Sequence, residues 1–179
     1  MGRPWCEAVL LNDGRKLIAR PIEPGDAETL RRSFGELTPE EIRFRFLHPI
    51  TELTPEYARR LTRIDRRNAF ALVLVEALPP EQARIGAVVR AVIDEGRHDA
   101  EFAIIVGREL GHFGLGSYLL GRIIEWSRKK GLDKLYGDVM IENHRMLRLA
   151  RRLGFTFRLN PEDPQIVRII RPLKAEEST

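Results

Sequence analysis

The segment Val106-Gly107-Arg108-Glu109-Leu110-Gly111-His112-Phe113-Gly114-Leu115-Gly116-Ser117 decides how this chain is read. It joins an apolar run to a helical pattern and concentrates glycines where the helix begins. Glycines there let successive backbone N–H groups turn toward one point, and the helix N-terminus adds the positive end of its dipole. A loop of this kind holds phosphate without a lysine. Arg108, His112 and Arg122 lie close by in sequence and are candidates for charge-assisted contacts to an anionic cofactor. No Gly-Lys-Ser/Thr follows, so this is not a Walker loop. The preceding strand belongs to a meander, which argues against a dinucleotide fingerprint. A plain tight turn is the competing reading of the glycines.

Upstream, residues 69–77 (AFALVLVEA), 84–93 (RIGAVVRAVI) and 100–106 (AEFAIIV) read as three strands with short connections, an antiparallel meander. Pro79-Pro80 and Asp94-Glu95-Gly96 punctuate them. Residues 16–22 (KLIARPI) predict an earlier strand, followed by a turn at Pro24-Gly25-Asp26 and a helix to about Leu37 carrying Leu30 and Phe34. Thr38-Pro39-Glu40-Glu41 combines a capping box with proline in the first turn, and Thr54-Pro55-Glu56 opens another helix, with Tyr57 and Leu61 inward. Downstream, residues 117–130 predict a helix that Gly131 ends. A strand over residues 135–140, a helix over 143–153 stopped by Gly154, and two short strands complete the chain. The pattern is one α/β (α+β) domain with about seven strands and no internal repeat or linker.

The 179 residues suffice for one well-cored domain. Hydrophobic residues make up 43% and charged residues 31%, which excludes a disordered chain. The longest apolar run, residues 69–75, is too short to span a bilayer, and the N-terminal stretch lacks a signal-peptide core. A cytoplasmic location is expected. Cys6 is the single cysteine and four scattered histidines show no zinc spacing, so no metal is expected. Cys6 also lacks an adjacent base, and structural or incidental use outweighs a covalent role. The net charge of +4 suits an anionic ligand, yet basic and acidic residues are interspersed and no basic tail exists. Nucleic-acid binding is therefore disfavoured.

The strand-ending valine, the loop of set length, Gly-Leu-Gly and the apolar helix resemble the acetyl-CoA-binding motif of GNAT acetyltransferases. Glu142-Asn143-His144-Arg145-Met146, followed by Ala150-Arg151-Arg152-Leu153-Gly154-Phe155, is similar to that family's second signature. The resemblance runs from about Leu17 to Leu173. It implies a GNAT fold, a mixed but mostly antiparallel central sheet flanked by helices, with residues 1–15 as an extension, 16–173 as the acetyltransferase domain and 174–179 as a tail. It also implies acetyl-CoA as co-substrate. Ile104, Ile105 and Val106 would pair with its pantetheine arm like an added strand. Gly111, His112, Phe113, Gly114, Leu115, Gly116 and Ser117 would surround its diphosphate, and Asn143 would bond the arm or cap its helix. Two positions depart from the family pattern. Gly111 stands where a Gln or Arg is usual, and Ala150 where many members have a tyrosine acid. His144 is a possible substitute acid.

Arg20-Pro21-Ile22, Arg43-Phe44-Arg45-Phe46-Leu47-His48-Pro49, residues 61–65 (LTRID) and Ala100-Glu101-Phe102-Ala103 resemble the catalytic domain of Pat-type bacterial protein lysine acetyltransferases. Those enzymes modify an active-site lysine of acyl-CoA synthetases, which implies such a protein as partner. At pH 7.4 only about one lysine in a thousand is neutral, a deficit of roughly 4 kcal/mol that a base must offset. Glu101, flanked by apolar residues in the Ala-Glu-Phe-Ala context, is the candidate base, acting directly or through water. The amine would attack directly in a ternary complex. A small amine or a protein N-terminus as acceptor, and a non-catalytic acetyl-CoA-sensing domain, are the alternatives. Arg145, Arg148, Arg151 and Arg152 form a basic helix face, read as solvated or as a patch for an acidic partner. Monomer and homodimer both stay open.

Overall fold

In the computed structural model, residues 5–96, 98–111 and 113–174 are described. His112, the first four residues and the end of the expected tail lie outside them. The chain forms β1 (Glu7–Leu10), β2 (Lys16–Pro21), α1 (Ala27–Phe34), α2 (Pro39–Phe46), α3 (Pro55–Thr62) and the meander β3 (Ala69–Glu76), β4 (Ile85–Ile93) and β5 (Asp99–Val106). Then follow α4 (Leu115–Lys129), β6 (Lys134–Met140), α5 (His144–Arg152), β7 (Thr156–Leu159) and β8 (Ile166–Pro172). The sheet order is β1-β2-β3-β4-β5-β6-β8-β7, antiparallel everywhere except between β5 and β6.

Eight strands replace the seven expected. The added one, β1, lies within the stretch read as an extension and pairs antiparallel with β2. Its turn carried a cue: Asp13-Gly14 is a hairpin dipeptide, Gly14 sits at φ +91, and Leu11 N–H donates to Arg15 O at 2.8 Å. Four residues of half-exposed strand were too short for alternation to register.

Helix starts follow local chemistry. Thr38 and Glu41 close a reciprocal capping box at α2, with bonds of 3.2 and 3.0 Å, and Thr54 caps α3 through Tyr57 N–H at 3.1 Å. Each cap is worth about 1 kcal/mol. Gly131 and Gly154, both left-handed, turn the chain after α4 and α5.

Period-two alternation gives the sheet two buried faces. On one, α4 lays Leu119, Leu120 and Ile123, all fully buried, against β-strand residues such as Leu72, Val89 and Phe102. Each such side chain contributes about 1.5–3 kcal/mol. On the other face, α1 packs Leu30 toward Val73 and Val88, and a satellite cluster around Phe34, Leu53 and Ala58 joins α1, α2 and α3. Within α3 the deepest residues are Ala58 and Thr62, with Tyr57 and Leu61 partly buried beside them.

Candidate active site

The one parallel junction shapes the site. Only Asp99, Ala100 and Glu101 of β5 pair with β6, opposite Lys134, Leu135 and Tyr136. On its other edge β5 stays paired with β4 as far as Val106. Beyond Glu101 the edge of β5 that faces β6 therefore has no strand partner among the described residues. Gly137 lies where the strands part. A Cβ there would fall 2.9 Å from the Phe102 ring and 3.1 Å from the Phe102 carbonyl oxygen. The absent side chain lets Phe102 and Phe155, ring centroids 5.6 Å apart, fill the apex.

A cleft of about 710 Å³ opens from this apex. It gathers Glu101, Ile104, Ile105 and Val106 from β5, Gly111, Gly114, Leu115, Gly116 and Ser117 from the loop and α4, and Asn143 from the start of α5. Thus Glu101 and Asn143, 42 positions apart in sequence, share one cavity. Phe113 does not line it: its ring packs on the core, with the Arg15 guanidinium 5.4 Å from its centroid. Arg122 is not brought there either. It pairs with Glu7 at 2.6 Å, which also accepts from the Tyr118 hydroxyl at 2.5 Å, so it serves to fasten β1 to α4. Arg108 does line the cleft.

Helix α4 enters the cleft with its first turn bare. Its N-cap is Gly114 at φ +71, with no side-chain cap and nothing within 4 Å of where a Cβ would stand. The early N–H groups of an α-helix have no intrahelical acceptor, so this end faces the cleft with donors and a positive dipole. Gly116 lets α5 approach, since its Cβ would meet Leu149 at 2.8 Å. Asn143 is the N-cap of α5: its Oδ1 accepts from Met146 N–H at 3.2 Å, which leaves its amide nitrogen to donate elsewhere.

Helix α2 spans the opening and is tied to both banks. On the β5 side, Glu41 accepts from Arg108 N–H at 3.2 Å. On the β6 side, Arg43 makes two bonds to Glu142, at 3.2 and 3.0 Å. Pairing holds the Glu142 carboxyl below its usual range, and Arg43 is raised correspondingly.

Glu101 stands on the sheet face opposite Phe102, toward α2 and α3. Its surface is open to the cleft, yet the protein around its carboxyl disfavours charge. Burial is the main cause of its raised pKa; Asp138 and Asp94 push the same way, and Arg168 and Arg45 oppose them. Arg168 forks onto Asp138 at 2.9 and 3.0 Å, and the Tyr136 hydroxyl donates to Asp94 at 2.8 Å. Burial, then Asp94, pushes the Tyr136 phenol well up.

Ala150 is wholly buried in the core, so α5 turns that position away from the cleft. His144 does line it. Two residues without an assigned role in sequence also enter. Arg145 donates to the Gly111 carbonyl at 2.8 Å, and Arg45 lines the cleft beside Phe46 and Tyr57. Arg45 had a signal in the Arg43-Phe44-Arg45-Phe46 motif, whereas Arg145 was indistinguishable from its basic neighbours on α5. Among the described residues, no group of three or more His, Cys, Asp or Glu is gathered to hold a metal, and no helix is long and apolar enough to cross a membrane.

A mostly antiparallel sheet split at one parallel junction, with a bare helix end beside the split, defines an acyltransferase of the GNAT class. The model of the acetyltransferase (GNAT) domain matches residues 16–156, and the chain belongs to that family. Its enzymes use acyl-CoA as donor. The chain is 29% identical over 163 residues to an acetyltransferase of Pseudomonas aeruginosa, covering 90% of this chain and 86% of that protein. It is 28% identical over 152 residues to acetyltransferase Pat of Mycolicibacterium smegmatis, covering 82% of this chain but only 43% of Pat. The fold superposes on the GNAT domain of S. lividans PAT with a TM-score of 0.80 at 24% identity, covering 94% of this chain and 97% of that domain.

Proposed function

We propose that this acetyltransferase transfers the acetyl group of acetyl-CoA to a lysine side chain of a protein, with an acyl-CoA synthetase as the candidate substrate, through direct attack by the amine. The observation that carries this reading is the parting of β5 from β6 immediately after Glu101. It leaves a free strand edge, a carboxylate and a bare helix end around one cleft. The likeness to Pat supports the choice of a protein lysine.

The residues fit the co-substrate. The unpaired edge at Ile104, Ile105 and Val106 offers main-chain donors and acceptors to an extended amide-bearing arm, as an added strand would use them. The first turn of α4, at Gly114, Leu115, Gly116 and Ser117, suits a diphosphate. Arg145, resting on Gly111, brings a guanidinium to the same loop in place of the side chain missing there. Asn143 donates its amide nitrogen to the arm. Bound acetyl-CoA supplies a thioester, whose carbon–sulfur bond breaks as the carbon–nitrogen bond forms. A β5 N–H beside the cleft polarises the acyl oxygen. Glu101 takes the ammonium proton, directly or through water; its raised pKa brings it nearer the operating pH and makes it a better base than an ordinary carboxylate. His144, which lines the cleft, protonates the departing sulfur in this reading.

The test pairs calorimetry with turnover. Acetyl-CoA binds wild type and Glu101→Gln alike, while release of CoASH with an acyl-CoA synthetase disappears in the variant. Near-normal turnover in Glu101→Gln removes the base assignment, and no heat with acetyl-CoA removes the cofactor site.

A further inference from the structure

Two arginines face each other behind the catalytic carboxylate. Arg90 interrupts the apolar strand β4 and projects from the same sheet face as Glu101, since it pairs with Ala103 while Val92 pairs with Glu101. Arg45 comes down from α2. It lines both the main cleft and an adjoining cavity of about 580 Å³, which Arg90 also lines.

Neither guanidinium has an acidic partner among the described residues. Arg90 donates from Nη2 to the Leu61 carbonyl at 3.1 Å, but its Nε is buried without a hydrogen bond. Arg45 rests on the Phe46 ring, 4.7 Å from its centroid, and makes no ion pair. Glu101 attracts Arg45 through space but bonds neither arginine, and three further carboxylates around the cavity are engaged elsewhere. Glu36 pairs with Arg84, Glu76 accepts from Arg84 N–H, and Glu41 is taken up by Thr38 and Arg108. Burial lowers the pKa of both arginines, and for Arg90, where Arg45 adds repulsion, it falls to about 10. At about 10, Arg90 still carries its charge at neutral pH. Two like charges held in a half-buried pocket without a hydrogen-bonded counter-ion are costly unless an anion completes them. The planar forks match a carboxylate.

We propose that Arg45 and Arg90 form a carboxylate-recognition subsite where the adjoining cavity meets the cleft, so that the amine acetylated by this enzyme carries a carboxylate close by. This rests on the acetyl-transfer reading of the cleft, and it specifies the acceptor. The carboxylate is either an acidic side chain flanking the target lysine or the terminal carboxylate of an amino-acid-like amine.

The experiment measures binding of three small probes by calorimetry at constant ionic strength with CoA present. Acetylglutamate amide carries only a side-chain carboxylate, acetylglutamine only a terminal one, and acetylglutamine amide neither. At least one acid binds wild type in the millimolar range and the neutral probe does not; the preferred acid tells which source the site reads. Arg45→Gln and Arg90→Gln each weaken acid binding roughly tenfold to a hundredfold, as loss of a charge-assisted bond does. Arg90→Met melts no lower than wild type without acid, because it relieves a like-charge pair. Glu101→Gln keeps acid binding while losing transfer, so failure of the base and failure of this subsite are read separately. Equal binding of acid and neutral probes overturns the proposal. So does unchanged acid affinity in Arg45→Gln together with a lowered Tm for Arg90→Met, the signature of a merely structural pair.

Discussion

The guanidinium of Arg145 occupies the space into which a side chain on Gly111 would grow. A Cβ built on Gly111 would lie 2.4 Å from Nη1 and 2.8 Å from Cζ of Arg145, whose Nη2 donates to the Gly111 carbonyl at 2.8 Å. The loop thus receives from α5 a guanidinium that stands where a side chain of its own would be. Arg145→Gln is therefore expected to weaken acetyl-CoA binding about tenfold, the scale of one exposed charge-assisted contact. Gly111→Arg combined with Arg145→Gly should restore most of it, whereas Gly111→Arg alone should not. Calorimetry with acetyl-CoA on the four proteins decides the matter.

Glu101→Gln is expected to lower turnover by at least about a hundredfold, the low end for loss of a general base. It should not lower Tm. A carboxyl whose folded pKa is raised binds more protons in the native state than in the unfolded one, so its ionisation costs stability as pH climbs from the ordinary glutamate value through the raised one. That cost is absent below the ordinary value and fully present above the raised one, and glutamine removes it. Thermal melts across pH 4 to 8, a window of about four units set around the glutamate value, test the sign.

Asp138→Asn should shift the acid limb of the kcat/KM profile to lower pH. Asp138 is the largest charge raising Glu101, and its loss also frees Arg168, which opposes it. Asp94→Asn should act in the same direction. A limb that stays put in both variants would falsify assignment of that limb to Glu101.

Gly114→Ala separates conformation from contact. The residue sits at φ +71 with open space around its would-be Cβ, so alanine costs only the left-handed strain, about 1–2 kcal/mol. The same methyl group stands over the bare end of α4. We expect a modest drop in Tm and a larger proportional loss of acetyl-CoA affinity. Denaturant melts and calorimetry on one preparation compare the two.

Thr38→Ala removes half the capping box of α2 and should cost about 1 kcal/mol, or about 2–4 °C in Tm for a chain of this size. Because α2 also carries Arg45, KM for the acceptor should rise more than KM for acetyl-CoA.

The meander, the helix starts and the glycine loop were legible because their causes are local: alternation, capping pairs and left-handed glycines act within a few residues. The burial that raises Glu101 was legible in its apolar neighbours. What escaped depends on contacts between distant segments. The β1 hairpin had its Asp13-Gly14 cue but too few residues to alternate. The vacancy at Gly111 read as a lost contact, since the residue that fills it lies 34 positions away. Arg122 looked near the loop in sequence, yet it lies more than a helical turn into α4, where Glu7 holds it. Arg90 passed as one polar residue in a strand, and only the fold shows it turned toward Arg45.

Strand β8 lies between β6 and β7, although it comes last of the three along the chain. One wall of the cleft thus rests on residues 166–172, which a ribosome delivers after every side chain that lines the cavity. During synthesis β6 must wait with one edge bare. A nascent chain halted at residue 156, where the family match stops, would hold every side chain that lines the cleft but not the strand that braces β6.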